Sequence, residues 1–136
     1  MTGSLYVDWL TNRAFYGDSD GHLYASYNSA GTTGSQLTGF PYRPGTSSEV
    51  YATAPFYNSG VMVAGTTTGN IYVIDINGGS GPVLLQTYKL GTATKISGVG
   101  YDKTGGNYLI SAASATAKDG DVFYIAAVAD PTPGSN

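Results

Sequence analysis

Short apolar runs, each closed by a polar turn containing glycine, make up most of this chain. Three stretches show the pattern best: "YVDWLTNRAFYGDSDGHLYASY" (Tyr6 to Tyr27), "APFYNSGVMVAGTTTGNIYVID" (Ala54 to Asp75) and "GVGYDKTGGNYLISAASATAKDGDVFYIA" (Gly98 to Ala126). Each holds an aromatic residue (Trp9, Tyr57, Tyr101), then a polar turn, then an apolar run. A second turn ends in glycine (Gly21, Gly69, Gly120). One polar, one aliphatic and one aromatic residue follow it: His22-Leu23-Tyr24, Asn70-Ile71-Tyr72 and Asp121-Val122-Phe123. The glycine anchors stand 48 and 51 residues apart. Trp9 to Gly17 aligns with Tyr57 to Gly65 without a gap, which places Trp9, Tyr57 and Tyr101 at one repeated, core-facing position. The third copy has longer turns, "DKTGGN" and "SATAKDG".

These runs predict strands. "RAFYG", "VMVAG" and "NYLISAA" pair with "HLYASY", "NIYVIDI" and "DVFYIAAVA" as hairpins, because Val, Ile, Tyr and Phe suit a pleated, half-buried surface. Glycine at the turns supplies positive φ at little steric cost. "GPVLLQTYKLG" (Gly81 to Gly91) is bounded by Gly-Pro and Gly and reads as a strand rather than a helix. It forms the outer strand of its unit. "SQLTGFPY" stands in the same place one unit earlier, where Pro41 suits an edge. The stretch "NGGSGP" (residues 77–82) is a strand-to-strand turn. It lacks the Lys-Ser/Thr and helix of a phosphate loop. Four-stranded antiparallel units at a period of 40–50 residues mark β-propeller blades. The expected fold is therefore all-β, with about three propeller units, either partial or completed by oligomerisation. The units run 5–45, 46–92 and 93–130, with residues 1–4 as an extension or tag remnant and 131–136 as a Pro/Gly/Ser-rich tail or linker.

The stretches "YDKTGGNYLIS", "GDSDGHLYAS" and "GTTTGNIYVID" resemble bacterial PQQ-like and YVTN-type β-propeller repeats, across roughly Leu5 to Ala129. That resemblance implies a secreted or surface protein. It spans quinoprotein dehydrogenases, outer-membrane assembly scaffolds and pilus-tip adhesins.

Composition narrows the classes further. Charged residues are 11% of the 136, against the roughly 25% usual in soluble domains. Ser, Thr, Asn and 20 Gly supply the polarity, as is common in extracellular β-proteins. Net charge is −3, and six scattered Lys and Arg give no basic patch for nucleic acid. With no cysteine there is no disulfide, thiolate metal site or cysteine nucleophile. No run approaches the roughly 18 apolar residues of a membrane span.

Candidate chemistry is sparse. His22 is the only histidine, and its counterparts in the other copies are Asn70 and Asp121, so it reads as a generic turn exit rather than a catalytic base. Asp18 and Asp20 have a spacing used by calcium loops, but the second copy, "GTTTGN", carries no carboxylate there, and the hairpin reading is preferred. Gly21, Leu23 and Tyr24 read as the repeated, structural part of this turn, and Asp18, Asp20 and His22 as its variable part. The acids do not form a recognisable catalytic pair. The best partner-binding candidates are Tyr42 and Arg43 in "GFPYRPG", together with Lys118 in "SATAKDG", because long loops held on a rigid scaffold carry recognition. The sequence thus predicts a non-catalytic, extracellular or cell-surface interaction or structural module with no cofactor or metal. Its partner would be a protein or a second copy met through strand edges. Alternatives are a fragment of a quinoprotein-type dehydrogenase propeller and a carbohydrate-binding propeller.

Overall fold

A computed structural model of the chain describes residues 4–27, 34–51, 53–77, 79–90, 94–114 and 124–129. Among these, every regular element is a strand: β1 (Tyr6–Asp8), β2 (Arg13–Gly17), β3 (Leu23–Tyr27), β4 (Ser35–Gln36), β5 (Phe56–Asn58), β6 (Val61–Gly65), β7 (Asn70–Asp75), β8 (Val83–Lys89), β9 (Thr94–Asp102), β10 (Asn107–Ser114) and β11 (Tyr124–Ala129). They form three antiparallel sheets, ordered β1-β2-β3-β4, β5-β6-β7-β8 and β9-β10-β11. No described helix is long and apolar enough to cross a membrane.

The second sheet lies between the other two. Its strands β6 and β7 are buried on both faces, because side chains alternate across a strand and each face has its own cover. Met62, Ala64, Tyr72 and Ile74 pack on Phe15, Leu23 and Ala25 of the first sheet. Val61, Val63, Ile71 and Val73 pack on Ile96, Tyr108, Ile110 and Ala112 of the third. This explains why "VMVAG" and "NIYVID" are nearly continuous apolar runs while "RAFYG" alternates.

The turns repeat in detail. Between β2 and β3, Asp18 N donates to His22 O (3.0 Å), while Asp18 Oδ1 accepts from the amides of Asp20 and His22 (both 2.8 Å). Between β6 and β7, Thr66 N donates to Asn70 O (2.9 Å), while Thr66 Oγ1 accepts from the amides of Thr68 (3.3 Å) and Asn70 (3.1 Å). Gly21 and Gly69 both have positive φ, 78° and 85°. The link to the next sheet repeats as well. Tyr51 N donates to Asp18 O, and Ile96 N to Thr66 O. Tyr51 and Ile96 are fully buried against Gly17 and Gly65, where any Cβ would collide with them.

Two expectations need correcting. The first hairpins are not equal in length. Asp8 pairs with Arg13 around four residues, whereas Asn58 pairs with Val61 around Ser59 and Gly60 alone, both at positive φ as a tight two-residue turn requires. The gapless alignment therefore slips by two positions. The residue matching Tyr57 and Tyr101 is Val7, and Trp9 lies in the turn with 82% of its surface exposed. The hairpin that matches the first is the third, where Asp102 and Asn107 also enclose four residues. Second, only Ser35 and Gln36 of "SQLTGFPY" pair as a strand. The rest turns away through a cis Phe40–Pro41 peptide, and Tyr42 makes an isolated bridge to Leu23.

Candidate functional site

The strands end in turns at two opposite rims. At the rim of the β2–β3 turn, the loop from Phe40 to Tyr51 folds over the first sheet. Tyr42 exchanges backbone hydrogen bonds with Leu23 (2.7 and 2.9 Å), and its ring packs against the core. Arg43 reaches Asp20 Oδ2 at 2.9 Å and lies 3.5 Å from His22 Nδ1. The His22 ring also lies 3.4 Å from Asp18 Oδ2 and 3.6 Å from Asp20 Oδ2. Of the residues singled out in the sequence, the fold thus brings Arg43, Asp18, Asp20 and His22 together and places Tyr42 in packing. Lys118 and the third turn lie outside the described residues.

Burial pulls the Asp18 carboxyl upward, but the amides of His22 and Asp20 and the Tyr24 hydroxyl outweigh it, so its pKa falls below the ordinary value. Oδ1 accepts the two turn amides and Oδ2 the Tyr24 hydroxyl, so the carboxylate braces its own turn. Among the described residues there is no group of three or more His, Asp or Glu able to hold a metal ion.

The same loop carries the chain's one glutamate. Glu49 is buried, and its carboxylate accepts from both sides: Tyr72 Oη at 2.8 and 2.7 Å, the Asn70 amide, and Thr46 N at 3.3 Å. Gly45 leaves the space these groups occupy, since a Cβ there would collide with Glu49 and Tyr72. Burial, followed by the bond to Glu49, raises the Tyr72 hydroxyl's pKa. Burial also raises that of Tyr51. This network latches the loop to the second sheet. Its polar atoms face one another rather than a cavity, so it is structural.

The opposite rim holds an open cleft. Between β1 and β5 lies a cleft of about 260 Å³, lined by Tyr6, Asp8, Leu10, Thr11, Phe56, Tyr57, Asn58 and Ser59. Aromatic rings build its inner wall. Tyr6 lies 5.3 Å from Phe56, Phe15 stacks on Tyr57 at 4.7 Å, and Phe56 meets Tyr108 edge-on at 6.3 Å. Arg13 donates to Tyr57 Oη (3.2 Å), its guanidinium 5.9 Å from the ring. Asp8 is the cleft's only carboxylate. It is engaged by the turn, accepting from Leu10 N (3.2 Å) and from the Thr11 hydroxyl. This Asx-type arrangement and Asn12, at φ 53°, fix the hairpin tip. Leu10, 95% exposed, stands on the cleft rim. Sequence reasoning missed this cleft because its residues come from two units and lie in the hairpin whose alignment had slipped. The signal present was the aromatic-rich pair "LYVD" and "FYNS".

Comparisons with protein-family models, with curated proteins and with solved structures find no match to this chain.

Proposed function

We propose that the chain is a non-catalytic, propeller-like recognition module of an extracellular or surface assembly. Its stacked sheets hold the cleft between β1 and β5, with its rim, against a partner. The observation that carries this reading is the cleft itself: aromatic walls, a hydroxyl- and amide-bearing rim, and a single carboxylate already occupied by its own turn. Concave sites with apolar walls and a few placed polar groups are where proteins take ligands. The extracellular setting is supported by the low charge and the Ser/Thr/Asn/Gly-rich surface, and the propeller-like build by the sequence resemblance.

Within this reading a carbohydrate is the favoured ligand class. Aromatic faces beside Thr11, Asn58 and Ser59 match the apolar faces and hydroxyls of a sugar ring. The quinoprotein alternative rests on the resemblance alone. The test is an oligosaccharide and peptide array probed with the wild-type chain and with Leu10→Asp, which changes only the rim. Hits that the variant loses support the reading. Dye-linked alcohol oxidation with added quinone cofactor and calcium would replace it with the dehydrogenase one.

A further inference from the structure

The two sheet-to-sheet contacts inside the chain are the same contact used twice. Matching Gly17 with Gly65 and His22 with Asn70 makes Phe15, Leu23 and Ala25 the counterparts of Val63, Ile71 and Val73. These are the residues each sheet presents to the sheet that follows it. Matching the hairpins at Asp8, Asn58 and Asp102 makes Val7, Tyr57 and Tyr101 one set, and Ala14, Met62 and Tyr108 another. In the second and third sheets these residues face the sheet before. Each sheet therefore offers one face backward and the opposite face forward, a head-to-tail scheme.

Among the described residues, two faces are left without a covering sheet. The first sheet's backward face carries Val7, Ala14, Tyr16, Tyr24 and Ser26, all partly exposed. Tyr16 and Tyr24 stack almost parallel there, 4.7 Å apart, as a flat slab. Beside them Val7, Ala14, Asn12, Arg13 and the exposed Trp9 line a depression of about 170 Å³. The third sheet's forward face carries Leu109, 40% exposed, opposite Gly100, with Gly98 opposite Ser111. Gly100 has open space where a Cβ would stand, so the β9 part of this face is low beside Leu109. One face is a slab with a socket, and the other is a shallow floor with a knob.

We propose that a second copy of this chain docks its third sheet on the first sheet's open face, continuing the internal stack from one molecule to the next. The Tyr16–Tyr24 slab lies over Gly98 and Gly100, and Leu109 enters the depression beside Trp9. Arg13, which also lines that depression, keeps its bond to Tyr57 Oη, so its charge is already partnered. Such an interface is heterologous: it closes a ring where the rotation permits and extends as a chain where it does not. It uses sheet faces, not strand edges, and is separate from the cleft between β1 and β5.

Light scattering on a sizing column tests it with the chain as it stands. The expected mass exceeds the 14.0 kDa of one chain and rises with concentration. Trp9 is the only tryptophan, and its emission shifts to the blue over the same range. Ala14→Arg and Leu109→Arg each block one face, so each alone runs as a monomer. Mixed, they form a one-to-one pair through the two intact faces, which an interface between identical faces cannot do. If either variant misfolds by circular dichroism, Trp9→Ser takes its place on the first sheet and Ser111→Arg on the third. A wild-type chain that stays monomeric at its highest soluble concentration overturns the proposal and leaves these faces to another occupant. Assembly that survives Leu109→Arg or Ser111→Arg also overturns it.

Discussion

Asp18 shows how one residue can look like a ligand and act as a strut. Its carboxylate accepts two turn amides and the Tyr24 hydroxyl (3.1 Å). Thr66 does the same for its two turn amides with a hydroxyl. The chemistry varies between copies while the hydrogen bonds stay. Asp18→Asn keeps an acceptor oxygen and is expected to fold normally. Asp18→Ala strands two amides and should cost about 1–2 kcal/mol in urea denaturation. The pH dependence has a definite sign. The folded-state pKa of Asp18 lies below its ordinary value, so its stabilisation is complete above the unfolded-state pKa of about 3.9. It is lost as pH falls through the folded value. Wild-type stability should therefore drop more steeply below about pH 4 than that of Asp18→Asn. Identical acid limbs would show that the charge contributes nothing.

At the scale of elements, the sheets are joined by a plug and a socket. Tyr51 fills the space over Gly17, and Ile96 that over Gly65. Neither glycine has positive φ, so what each position requires is room, not conformational freedom. Gly17→Ala should destabilise by about 1–3 kcal/mol through overpacking. In the Tyr51→Ala background the same change should cost much less, because the colliding ring is gone. A double-mutant cycle by chemical denaturation measures the difference, and additive effects would mean that plug and socket are not coupled. The strands themselves were legible in the sequence. β2, β3, β6, β7, β8 and β10 fall on apolar runs bounded by glycine or polar turns, where local propensity and packing agree. The first hairpin misled because a gapless alignment hid its two extra residues. Trp9 then looked like a core aromatic although Asp8 and Asn12 hold it in a turn. The latch of Glu49 on Tyr72, 23 positions apart, was invisible for another reason: nothing local marks a lone glutamate whose partners lie on a later strand.

For the whole molecule, the stack order determines where stability resides. Among the described residues, the second sheet alone is covered on both faces, by two separate apolar clusters. The described residues cover one face each of the first and third sheets, and β4 is only two residues long and exposed. Opening of the outer strands breaks few buried contacts, whereas opening of β6 or β7 breaks both clusters at once. Local free energies of opening should therefore rise from the ends of the stack to its middle. Native-state amide exchange is expected to be slowest at Val61–Gly65 and Asn70–Asp75, reporting global unfolding, and faster at β4 and the outer part of β8. Ile71→Ala removes a fully buried side chain from the forward cluster and should cost about 2–5 kcal/mol. Its effect on exchange separates two pictures of the fold. If the stack is one cooperative unit, protection in the first sheet's β2 and β3 falls together with that in β6 and β7, although Ile71 faces away from them. If the sheets open independently, the loss stops at the second and third sheets, and the continuous core implied by two clusters sharing one sheet is wrong.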